Sequence, residues 1–106
     1  MNLNDLRDTI YADAVEHGLW EDADAWPVEC GIMVSDEADE LMDAGTDWED
    51  AGFDIEETDE HYAEELADVI IVCMSVAGKL GIDIDAAVRR KMEINKARPW
   101  KHGKTG

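Results

Sequence analysis

Positive charge is nearly absent from the first three quarters of this chain. Residues 1–78 hold twenty-four acidic side chains and one basic one, Arg7. A nucleic-acid backbone would be repelled by such a surface, so no nucleic-acid partner is expected. Long hydrophobic runs are also missing. None reaches the ~18 residues of a membrane-crossing helix, and no membrane partner is expected. The opening MNLNDLRDTI has neither a basic nor an apolar stretch, so no secretory signal is visible and the expected location is cytoplasmic. Cysteine is scarce. Cys30 and Cys73 lie in apolar helical contexts without metal-type spacing, which fits buried free thiols in a reducing compartment. Neither strand-like alternation nor an internal repeat is present.

What remains is helical. At 106 residues the chain is one domain, small for burying much of its own surface, and 45 % hydrophobic content makes it globular despite a net charge of −18. Leu3, Leu6, Ile10 and Ala14 give residues 3–17 a helical stripe that Gly18 stops. Trp20, in the following connection, is placed to cover the core or a pocket mouth. Pro27 suits the first turn of a second helix, expected to run to Ala44 with Val28, Ile32, Leu41 and Met42 inward and Gly45 just beyond. Gly31 within it costs ~1 kcal/mol relative to alanine, tolerable if a backbone or ligand approaches there. Residues 45–58 read as a polar loop pinned by Trp48, Phe53 and Ile55. Thr58 or Asp59 would cap a third helix over 59–80, ended by Gly81, and Asp83 a fourth over 84–97, ahead of Pro99. The fold class is all-α: a four-helix unit over residues 1–98, followed by a basic tail over 99–106. Its limited apolar burial calls for completion as a homodimer or homotetramer.

Two acid pairs stand out. Glu65 and Asp68 head the apolar run of the third helix, three residues apart, so they share one helical face with Cβ atoms ~5–6 Å apart. Glu37 and Glu40 repeat the spacing upstream. Alone, the upstream pair reads better as a solvated face, because Asp36, Asp39 and Asp43 crowd the same helix. Taken together, two pairs converging between packed helices would form a cage for hard divalent cations. Carboxylates ~5 Å apart at an effective dielectric of ~20 repel by ~3 kcal/mol, so four of them require cations or shifted pKa values. Oxygen donors alone suit Mg²⁺, with Mn²⁺ as a substitute. The missing cations appear at the other end: residues 79–106 carry eight bases and three acids. Lys91 and Asn95 share a face of the fourth helix, and Arg98 extends that line to where a guanidinium could grip phosphate bidentately.

The combination E-x-x-E, a spacer, E-x-x-D and then GIDIDAAVRRKMEINKARPWKHGK resembles the MazG-like all-α nucleoside triphosphate pyrophosphohydrolases. The resemblance implies Mg²⁺ held by Glu37, Glu40, Glu65 and Asp68, and hydrolysis of a nucleoside triphosphate to monophosphate and pyrophosphate. It implies phosphate and sugar contacts from Lys91, Asn95 and Arg98. The family often has a glutamate just before the first motif glutamate, proposed as the base for the attacking water. Asp36 stands at that place, one methylene shorter. Phosphoribosyl-ATP pyrophosphatases resemble the same family and are the rival enzyme. Two readings come from other classes: an acidic binding module that mimics DNA, and a catalytically silent helical scaffold. A pure mimic would have no need of the cationic cluster over 89–104. His17 and His61 read as surface residues.

Overall fold

In a computed structural model, residues 2–21, 26–53, 56–101 and 104–105 can be described. They form α1 (Leu3–Glu16), α2 (Pro27–Asp50), α3 (Glu56–Leu80) and α4 (Ile84–Lys96), followed by two-residue strands β1 (Trp100–Lys101) and β2 (Lys104–Thr105). The all-α reading holds. Within the tail a minimal antiparallel pair joins Trp100 to Thr105 and Lys101 to Lys104, which the lack of any strand pattern did not foretell. No helix among the described residues is long and apolar enough to cross a membrane.

Helix ends follow local chemistry. Asn2 caps α1 reciprocally: its side chain accepts from the Asp5 N–H (3.0 Å), and the Asp5 carboxylate accepts from the Asn2 N–H (3.0 Å). Asp83 caps α4, as expected, by accepting from the Ala86 N–H at 3.0 Å. Two boundaries need correction. α2 does not stop at Ala44 but continues to Asp50. Gly45 stays helical, and a Cβ there would lie 3.4 Å from the Tyr62 ring, so its bare backbone seats an aromatic side chain of α3. The real stop is Gly52, at φ +72°, a left-handed conformation that glycine adopts cheaply. α3 also begins earlier, at Glu56, which puts Thr58 and Asp59 inside the helix. Phe53 and Trp48 do pack together, ring centroids 5.2 Å apart, and Tyr62 lies the same distance from Trp48. Ile55 lies outside the described residues.

Helix α3 is the centre of the chain. α2 packs against it antiparallel, through a seam with alternating spacings of four and three residues. Buried and half-buried residues recur at that spacing on α2 (Cys30, Val34, Glu37, Leu41, Ala44, Trp48) and on α3 (Thr58, Tyr62, Glu65, Val69, Val72, Val76), and Trp48 meets Tyr62 and Glu37 meets Glu65 across the pair. α1 also packs on α3, and there a Cβ on Gly78 would come 2.5 Å from the Tyr11 Cβ. Trp20 folds under this pair, 6 % exposed, and its indole N–H donates to Ser75 Oγ at 2.9 Å. The expectation that Trp20 covers the core is met.

α4 is held chiefly by α1, at one end. Asn4 Nδ2 donates to Asp83 (2.8 Å), the Leu3 N–H to Asp85 (3.1 Å), and Arg7 Nη1 to the Ile82 carbonyl (2.7 Å). The hydrogen bond from Asn4, then that from the Ala86 N–H, lowers the Asp83 carboxyl below its ordinary range.

Several residues expected inside are outside in this single chain. Val28 (71 % exposed), Ile32 and Met42 are exposed, and no described residue lies within 4 Å of a Cβ placed on Gly31. Both cysteines are free thiols, Cys30 buried and Cys73 half-buried. The radius of gyration is 16.1 Å, where a compact domain of ~100 residues has about 13 Å.

Candidate active site

Two of the four expected acids sit on the seam itself. Glu37 and Glu65 occupy positions where the neighbouring turns carry Val34, Leu41, Tyr62 and Val69, so helix pairing drives carboxylates together between apolar layers. Asp68, one turn beyond Glu65, is exposed at the seam's edge. One carboxylate oxygen from each of Glu37, Glu65 and Asp68 lies within 4.8 Å of the other two. The remaining acids are arranged differently. Glu40 is exposed but lies close enough to hydrogen-bond with Glu37, and Asp36 is exposed and outside the converging three.

The electrostatics of this cluster are unbalanced. Partial burial holds the Glu37 carboxyl above the ordinary glutamate value of 4.5. The charge and hydrogen bond of Glu40, and then the charges of Asp68 and Glu65, push the same way. Among the described residues, the charges that shift Glu37 are all neighbouring carboxylates. The Oε2 atoms of Glu37 and Glu65 are both buried with no hydrogen-bond donor among the described residues. Buried acceptors left unpaired are expensive, by roughly 1–3 kcal/mol each and more when charged. An oxygen-only donor set with unmet acceptors fits a hard divalent cation.

One neighbour escaped the sequence reading. His61 Nε2 lies 3.9 Å from Glu65 Oε1, one turn before it on α3. The i,i+4 spacing was the available signal. Of the C-terminal candidates, Lys91 and Arg98 are exposed, whereas Asn95 is half-buried with its Oδ1 lacking a donor among the described residues. Among the described residues α4 packs chiefly on α1.

The Glu37 shift has a sign that can be checked. A glutamate with a folded pKa above its unfolded one binds its proton more tightly when folded. Its contribution to stability is full below 4.5 and is lost as pH rises through the raised folded value. In metal-free buffer, the Tm of the unaltered protein should fall relative to Glu37→Gln as pH climbs through that window. Parallel pH profiles for the two proteins would show that Glu37 is not the titrating group.

An antiparallel helix pair with carboxylates converging at its seam, inside an all-α chain, defines a class of acid-lined helical proteins. The sequence comparison narrows it. The profile of the MazG-like family matches residues 33–105, which spans both acid pairs and α4, and the chain belongs to that family. It is also similar to a dATP/dGTP diphosphohydrolase of Cyanophage S-2L, 41 % identical over 46 residues. That match covers 43 % of this chain and 44 % of the phage protein. No solved structure matches.

Proposed function

We propose that this protein hydrolyses nucleoside triphosphates to monophosphate and pyrophosphate, with Mg²⁺ or Mn²⁺ held by Glu37, Glu65 and Asp68 and supported by Glu40. The observation that carries this is the convergence of three carboxylates from two helices, with two buried oxygens lacking donors. Purine deoxynucleotides lead the candidate substrates because the phage relative is named for dATP and dGTP. A divalent cation bound there supplies charge neutralisation for the triphosphate and lowers the pKa of bound water. Asp36, exposed beside Glu37, would accept the proton of the attacking water. Lys91, Asn95 and Arg98 would contact the phosphates and sugar, offsetting charge that builds on the departing pyrophosphate. A homodimer or homotetramer would cover the apolar residues that α2 and α4 leave exposed.

The test is a panel of NTPs and dNTPs assayed for pyrophosphate release with and without Mg²⁺. Release that requires the metal is expected, fastest with dATP or dGTP. Hydrolysis in ¹⁸O-water should place the label in the monophosphate. Label in orthophosphate beside unlabelled diphosphate would overturn the assigned reaction. Mg²⁺ with a non-hydrolysable analogue should also raise the Tm by mass action on the folded state. An equal rise with monovalent salt alone would point instead to general screening of the −18 charge.

A further inference from the structure

Three donors line one face of α3 at the acid cluster, and one of them is nitrogen. His61, Glu65 and Asp68 stand four and three residues apart, so at 3.6 residues per turn they fall within an arc of about 60°. Two side chains at i and i+4 on one helical face are well placed to hold a single metal ion. His61 Nε2 lies 3.9 Å from Glu65 Oε1. That is too long for a hydrogen bond, whose heavy atoms approach to about 3.2 Å or less. It is within the ~4.2 Å that two donors can span when each sits ~2.1 Å from one ion. As an ion pair at that distance, with half of the imidazole in solvent, it contributes little. The other oxygen of Glu65, Oε2, is buried and has no donor among the described residues. One carboxylate can therefore serve two ions, one through each oxygen.

We propose that His61 is itself a metal ligand: with Glu65 Oε1 it makes a nitrogen-containing position at the edge of the carboxylate cluster, which takes a transition ion such as Mn²⁺ or Co²⁺ in preference to Mg²⁺. This deepens the metal reading of the same site and rests on it. The donor chemistry discriminates, because Mg²⁺ prefers oxygen and gives up its waters reluctantly, whereas imidazole nitrogen is a good donor to the transition series. Two positions that share Glu65 then differ in kind. The one among Glu37, Glu65 and Asp68 offers oxygen alone and accepts Mg²⁺ or Mn²⁺. The one at His61 selects against Mg²⁺, and its exposure lets water complete the coordination shell.

The test titrates Mn²⁺ into the unaltered protein, without nucleotide, and records electron spin-echo modulation. Modulation from a directly bound ¹⁴N is expected, and labelling with ¹⁵N-histidine should replace its pattern without altering any residue. The signal should vanish in His61→Gln and persist in His17→Gln, since the His17 ring lies beside Asp13 on α1 instead. Bound Mn²⁺ with oxygen ligands alone overturns the proposal, as does ¹⁴N modulation that survives His61→Gln. Calorimetry gives a second readout. His61→Gln should lower Co²⁺ affinity by about tenfold or more and leave Mg²⁺ affinity unchanged. Equal losses for the two ions would mean that the imidazole acts only as a neighbour of Glu65, and the proposal fails. The two readings of the site fail separately. Oxygen-only Mn²⁺ in a protein that releases pyrophosphate overturns the histidine ligand alone. Nitrogen-bound Mn²⁺ in a protein that hydrolyses no nucleotide overturns the hydrolase reading and leaves the ligand standing.

Discussion

Glu65→Gln and Asp68→Asn should each lower pyrophosphate release on the order of a hundredfold or more while leaving the helical content unchanged. Outer residues that merely orient metal ligands typically cost 10–100-fold when altered, and a direct ligand should exceed that. The accompanying stability change is the discriminating part. Glu65 Oε2 is buried without a donor, and the carboxylates beside it repel it. Amide substitution keeps the shape and removes the charge, so the metal-free Glu65→Gln protein should melt at or above the Tm of the unaltered protein. A catalytic loss through misfolding would lower it. Near-normal turnover in both variants, measured with saturating Mg²⁺ and dATP or dGTP, would sink the assignment of these residues to the metal.

Gly78→Ala should be the most damaging glycine-to-alanine change among the described residues. Its new methyl would sit 2.5 Å from Tyr11 Cβ and 2.6 Å from Cγ, distances that real packing does not accept. The helices must separate, at a cost of about 1–3 kcal/mol. For a domain of this size that is about 4–8 °C of Tm per kcal/mol. The clash includes Cβ, so trimming Tyr11 to alanine does not remove it, and Tyr11→Ala/Gly78→Ala should remain destabilised relative to Tyr11→Ala. Gly31→Ala is the control. No described residue lies within 4 Å of its Cβ position, so within one chain the change should be neutral or stabilising by up to about 1 kcal/mol. Thermal melts at fixed protein concentration compare them. Equal losses at both glycines would contradict the α1–α3 contact.

The parts of this structure that were legible in the sequence are those governed by local chemistry. Asp83 as a cap and Gly81 after α3 follow from side-chain hydrogen bonding and left-handed backbone preference. The pairing of Glu65 with Asp68 follows from helical spacing, and its convergence with Glu37 from two seams of matching period. Where the reading failed, the deciding contact was distant. Gly45 looks like a stop until Tyr62 packs on it. Val28, Ile32 and Met42 are apolar, but hydropathy does not say whether a residue faces its own core or another copy. Asp36 and Asp39 are chemically equivalent to Glu37 as acids. Only the register of α2 against α3 singles out which carboxylate is pressed into the seam.

The link between Trp20 and Ser75 spans fifty-five residues, and that separation bears on how the chain assembles. α2 and α3 are neighbours in sequence, so their pairing closes only the short connection between them. α1 can reach α3 only after a loop containing all of α2 has closed, and loop entropy makes such non-local contacts slower to form. The α2–α3 hairpin should therefore form first, with α1 docking onto its open side later. In a variant keeping Trp20 as its only tryptophan, fluorescence after a denaturant jump should lag the recovery of helical circular dichroism. Coincident traces would mean that α1 condenses with the hairpin in one step. On the ordered route, the acids of α2 and α3 are brought together before α1 is in place, and repulsion at the seam opposes the earliest stage of folding.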